Sequence, residues 1–170
     1  MAVICIEDPL RLEAVEVIAK LKKLGISKVV MMTGDSDRVA SVIAKKVGVD
    51  EYHSEVLPED KASFVEAEKN AGRKVIMVGD GINDSPALSA ANVGIAISDG
   101  AELAREIADI TVGADNLREL VTLKKISNGL IRRISRNYRM IVGFNAGLIG
   151  LGVAGIIMPT TSALLHNTST

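Results

Sequence analysis

Between Ala2 and Val112 short strand-like runs alternate with stretches in which apolar residues recur every three or four positions, and few architectures accept that order. The runs are Ala2 to Ile6, Lys28 to Met32, Tyr52 to Ser54, Val75 to Val78, Val93 to Ile97 and Asp109 to Val112. Leu12, Val15, Ile18 and Leu21 predict a first helix stopped by Gly25, and Val39, Ile43 and Val47 a second stopped by Gly48. Pro58-Glu59-Asp60-Lys61 opens a third, since proline suits a first helical turn. A fourth follows Ser85-Pro86, and a short fifth runs from Ala101 to Ile107. Such alternation predicts βαβ crossovers, hence an α/β fold with a parallel sheet and helices on both faces. In open sheets of that kind ligands bind outside the carboxyl ends of the strands.

The turn Gly79-Asp80-Gly81-Ile82-Asn83-Asp84 falls at such a strand end. Its two glycines let the backbone turn with no side chain in the way, so Asp80, Asn83 and Asp84 are expected to converge on one small volume. Two carboxylates and an amide at that spacing suit Mg²⁺ and a phosphoryl group. Aspartate, asparagine and glycine are also the commonest turn residues, so a plain polar turn is the alternative.

Beyond Asp115 the pattern changes. From Asn116 onward there are seven Lys and Arg against the single acid Glu119, whereas residues 1–115 carry 13 basic and 20 acidic side chains. The net charge of -1 therefore describes neither part. Leu117, Leu120, Val121, Leu123, Ile126, Leu130, Ile131 and Ile134 predict a basic amphipathic helix over 116–139. Met140 to Met158 is a run of 19 residues without a formal charge, and a transmembrane helix is expected there. Glycines at 143, 147, 150, 152 and 155 would let membrane helices approach closely. Arg132, Arg133, Arg136 and Arg139 precede the run and place its start, with residues 1–139, on the cytoplasmic side. Residues 159–170 read as the start of a further membrane helix. Cys5 is the only cysteine, so no disulfide closes within the chain, and it is read as a small core residue in a reducing compartment.

Three stretches, Thr33-Gly34-Asp35, Pro58-Glu59-Asp60-Lys61 and Gly79 to Leu88, stand in this order ahead of a basic helix and an apolar run. Together they closely resemble the phosphorylation domain of P-type ATPases, within the haloacid-dehalogenase-like superfamily. The tail, with Phe144-Asn145 and Pro159 to Thr170, is most similar to the heavy-metal-transporting branch. The resemblance implies a haloacid-dehalogenase-like Rossmannoid sheet over residues 1–115. It also implies Mg²⁺ and ATP as cofactors and a transported heavy-metal cation as cargo. Asp80 would bind Mg²⁺, and Asp84 would support that site or its loop. Thr33 and Asn83 would hydrogen-bond phosphoryl oxygens, Lys61 would neutralise their charge during transfer, and Gly34-Asp35 would hold the loop or meet the nucleotide. Asn145 would contribute either to an ion path or to a helix-packing hydrogen bond.

The family's nucleophile lies in an Asp-Lys-Thr-Gly-Thr segment, and this sequence contains none. Asp8 follows the first strand-like run, but Pro9-Leu10 is not the expected continuation. The chain is therefore read as a C-terminal fragment, partnered by the missing nucleotide, actuator and membrane domains and by the lipid bilayer, with no nucleic-acid partner. Alone it is expected to be inactive. The alternatives are a small phosphatase of the same superfamily, which would need an Asp-x-Asp nucleophile on the first strand, and a non-catalytic module that binds Mg²⁺ or phosphate or regulates a full-length pump.

Overall fold

A computed structural model of the chain describes residues 10–80, 83–97, 106–113 and 116–156. The elements are α1 (Ala14–Lys23), β1 (Val30–Met32), α2 (Asp37–Val47), β2 (Glu51–His53), α3 (Pro58–Asn70), β3 (Ile76–Gly79), α4 (Ser85–Ala90), β4 (Val93–Ile97), β5 (Ile110–Val112) and α5 (Arg118–Val153). The α/β alternation holds across the described residues. The first strand-like run and most of the fifth expected helix lie outside them. Gly48 ends α2 in the left-handed region, φ 82°, as its place after Val47 predicts. Pro58 occupies the first turn of α3, where the Asp60 carboxylate accepts the Leu57 amide at 3.4 Å.

Among the described residues all strand pairing is parallel. β1 pairs with β2, Met31 opposite Tyr52, and a second sheet runs β3-β4-β5, with Val78 opposite Ile95 and Ala96 opposite Thr111. The single sheet expected from sequence is thus two parallel sheets among the described residues. Along β3 only Met77 is buried while Ile76 and Val78 are exposed, so this apolar run has one covered face, not two. The core forms where α3 and α4 meet that covered face: Val65, Met77, Ala87 and Leu88 are buried together, and Met32 of β1 packs against them. Burying a side chain such as Leu88 contributes roughly 2 kcal/mol.

The molecule divides into two units, residues 1–124 and 125–170. α5 corrects the expected division into a linker helix and a separate membrane span, because it is one helix of 36 residues. No proline interrupts it, and an isolated glycine inside a helix costs only about 1 kcal/mol. It ends at Val153, so just 14 residues of the uncharged run, Met140 to Val153, belong to it. At about 1.5 Å per residue that is roughly 21 Å, less than the roughly 30 Å of a hydrocarbon core. Among the described residues no helix is long and apolar enough to cross a membrane, and the transmembrane helix expected over Met140 to Met158 is not found.

Candidate functional site

The candidate residues of the first unit either follow a strand or open a helix. Thr33, Gly34 and Asp35 follow β1, Lys61 lies in the first turn of α3, Asp80 follows β3, and Asn83 and Asp84 precede α4. Asn145 belongs to the second unit, half-buried within α5. Gly81 and Ile82 lie outside the described residues, as does Asp8.

The closest contact links two of these segments. Lys61 Nζ donates to Asp84 Oδ1 at 2.7 Å, with only 15% and 13% of the two side chains exposed. The pair forms because α3 and α4 pack on the same Val65–Leu88 core, which brings their opening turns together. Two charges so withdrawn from water each depend on the other, since removing one leaves an uncompensated charge. Asp84 also rests against the end of β3. A Cβ on Gly79 would lie 2.6 Å from the Asp84 Cβ, so only glycine admits that approach.

The Thr33 loop is fixed from within and from behind. Thr33 Oγ1 donates to Asp35 Oδ2 at 2.9 Å, and the Asp35 amide donates back to Thr33 Oγ1 at 3.1 Å. The Val56 amide donates to the Thr33 carbonyl at 3.0 Å and the Glu55 amide to that of Asp35 at 2.9 Å. Glu55 adopts φ 54°, a left-handed conformation that costs a side-chain-bearing residue about 1 kcal/mol. Residues 53–56 therefore buttress the loop, a role absent from the sequence reading. The sole local cue was the extended bias ahead of Pro58. Beside this buttress is an open depression of about 550 Å³ lined by Asp37, Tyr52, His53, Ser54, Glu55, Val56 and Asp60. There the Asp37 carboxylate, accepting from the Tyr52 hydroxyl, raises the Tyr52 pKa above its ordinary value.

Lys61 and Asp84 are thus in direct contact, as are Thr33 and Asp35, and Met32 seats the Thr33 loop's strand on the core that carries the ion pair. Asp80 and Asn83 are exposed. Among the described residues no three His, Cys, Asp or Glu side chains gather into a metal centre. Asp80 and Asp84 are nonetheless hard oxygen donors, and Mg²⁺ is commonly held by one or two carboxylates with waters and substrate phosphate completing its shell. The donor chemistry fits that ion.

A family model described as haloacid dehalogenase-like hydrolase matches residues 1–92, more than half of the chain. The "Manganese-exporting P-type ATPase" of Mycobacterium leprae (strain TN) is 39% identical over 170 residues, covering 99% of this chain and 23% of its own length. The chain thus spans about a quarter of the length of the curated relatives it matches. A solved zinc-transporting PIB-type ATPase in the E2.Pi state superposes with a TM-score of 0.83 at 34% identity, over 96% of this chain and 27% of that one. The 3-deoxy-D-manno-octulosonate 8-phosphate phosphatase of Moraxella catarrhalis shares the fold, with a TM-score of 0.58 at 21% identity over 75% of this chain and 76% of that one.

Proposed function

The chain belongs to the haloacid dehalogenase-like hydrolase family, and from that premise we propose that it is part of a heavy-metal cation-transporting P-type ATPase. Within it the chain would supply the residues that stabilise a phosphoryl group passing from ATP to an aspartate. The observation that carries this reading is the shielded Lys61–Asp84 pair at the paired starts of α3 and α4. An ammonium held in one place beside strand ends meets developing phosphoryl charge without reorganising, which is the condition for electrostatic catalysis.

In this reading Asp84 positions Lys61, and Lys61 neutralises phosphoryl oxygens. Thr33 and Asn83 donate hydrogen bonds to those oxygens, while Gly34 and Asp35 shape the loop that meets the nucleotide. Asp80 and Asp84 hold Mg²⁺, which when bound offsets negative charge on the phosphate. The nucleophile belongs to an Asp-Lys-Thr-Gly-Thr segment that this sequence lacks, so the 170-residue chain alone is proposed to be inactive. The longer protein is proposed to sit in a membrane, with the uncharged run 140–158 in the bilayer and residues 1–139 cytoplasmic. Support for that placement comes from the run itself and from the arginines ahead of it. Its check is carbonate extraction, in which the chain stays with the membrane fraction. A chain that is soluble and monodisperse without detergent contradicts it.

The site is tested on the chain as it stands, by nuclear magnetic resonance. Mg²⁺ or a phosphate analogue is expected to shift amides near Thr33 and from Gly79 to Asp84, with Asp80→Asn removing the Mg²⁺ response. Shifts confined to acidic side chains elsewhere on the surface contradict the assignment.

A further inference from the structure

Within α5 the charged and apolar residues take opposite sides. Successive residues of an α-helix turn by about 100°, so Lys125, Arg132, Arg136 and Arg139 share one side, with Arg133 at its margin. Ile126, Leu130 and Ile134 fall on the opposite side. All four arginines are exposed, and so are Ile126, Leu130 and Ile134, at 64%, 55% and 53%. Two of the arginines bond to backbone carbonyls of their own helix: Arg132 Nε donates to Asn128 O at 3.3 Å and Arg139 Nε to Ser135 O at 3.4 Å. Among the described residues no salt bridge ties Arg132, Arg133, Arg136 or Arg139 to a carboxylate.

A basic stripe alone would suit any polyanion. Here it backs an exposed apolar stripe, and the same helix continues without a charge from Met140 to Val153. At about 1.5 Å per residue, Arg132 to Arg139 lie within roughly 12 Å of the start of that uncharged run, the level of lipid phosphates when the run enters a bilayer, whereas nucleic acid has no use for the run. Guanidinium matches phosphate in planar, two-pronged geometry. We propose that the arginine stripe of α5 is a docking surface for the phosphate groups of anionic phospholipids. This rests on the membrane placement proposed above and adds a lipid class to it.

The test uses the 170-residue chain in neutral detergent micelles doped with either phosphatidylglycerol or phosphatidylcholine, with bound lipid read by native mass spectrometry. Phosphatidylglycerol adducts are expected to exceed phosphatidylcholine adducts by at least about 10-fold. Each single Arg→Gln change lowers the excess by up to about 5-fold. R132Q/R133Q/R136Q/R139Q abolishes it at unchanged helix content, and the matching four-lysine variant keeps most of it. Equal uptake of the two lipids by the unsubstituted chain overturns the proposal, as does an excess that survives in the four-glutamine variant. Binding of a double-stranded oligonucleotide that is lost in the four-glutamine variant, with no lipid preference, assigns the stripe to nucleic acid instead. If the chain proves soluble without detergent and takes up neither lipid, the membrane placement itself fails.

Discussion

Lys61 and Asp84 stand 23 positions apart, and nothing local in either segment says that they touch. Each was a candidate from sequence, Asp84 from the glycine-flanked turn and Lys61 only from the family resemblance of Pro58-Glu59-Asp60-Lys61, but in separate roles. Their pairing is tertiary, set by how α3 and α4 share one core. Because both side chains are largely shielded, Lys61→Met and Asp84→Asn are each expected to destabilise the chain by about 2 kcal/mol, measured by urea unfolding. The double substitution is expected to cost less than the sum of the two, since it strands no charge; strict additivity would show that the pair is not coupled. Gly79→Ala probes the same place sterically. Its new methyl group would press on Asp84, so a loss of about 1–3 kcal/mol is expected, with a weaker Mg²⁺ response at Asn83 and Asp84. A Gly79→Ala chain as stable and as responsive as the original would show that the close approach has no consequence.

Helices were easier to read than strands because their ends are written in single residues, the stop at Gly48 and the start at Pro58 among them. β2 carries Glu51, Tyr52 and His53, too polar and too short for a clear period, and the bond pattern that fixes it comes from elsewhere in the chain. Asp50 shows how. It accepts from Lys22 Nζ in the last turn of α1 at 2.6 Å and from the Val29 amide just ahead of β1 at 2.8 Å, so one carboxylate ties helix to sheet. The hydrogen bond from Lys22, then that from Val29, holds its pKa below the ordinary 3.8. A carboxyl lowered by folding adds stability that is fully present above its unfolded pKa and is lost as pH falls through the folded one. Asp50→Asn is therefore expected to flatten the loss of stability on acidification below about pH 4 and to leave the dependence above neutrality unchanged, as followed by denaturation at stepped pH. An unaltered acid limb would remove Asp50 from the acid response. α5 shows the converse limit of sequence reading. Charge stops at Arg139 but the helix does not, so a change of composition along it is not an end of structure.

For the molecule as a whole, the two units meet after Lys124, whereas the charge of the sequence changes sign beyond Asp115. The α/β order was readable because periodicity reports burial; the split into two sheets was not, because strand partners are chosen across the chain. Charge-neutralising groups stabilise a phosphoryl group in transit, yet transfer also needs an in-line nucleophile, and those are different jobs. In the proposed reading Thr33, Lys61 and Asn83 meet the phosphoryl oxygens while Asp80 and Asp84 hold Mg²⁺, so none of the five is the nucleophile. Acid-stable labelling from radioactive ATP separates the two. The 170-residue chain is expected to take no label. A longer protein that joins it to an upstream Asp-Lys-Thr-Gly-Thr segment and nucleotide domain is expected to label, and Lys61→Ala in that protein to reduce labelling by about 10²–10³-fold. Label on the 170-residue chain itself, mapped to one of its own aspartates such as Asp8, or undiminished labelling of the longer Lys61→Ala protein, would contradict the assignment.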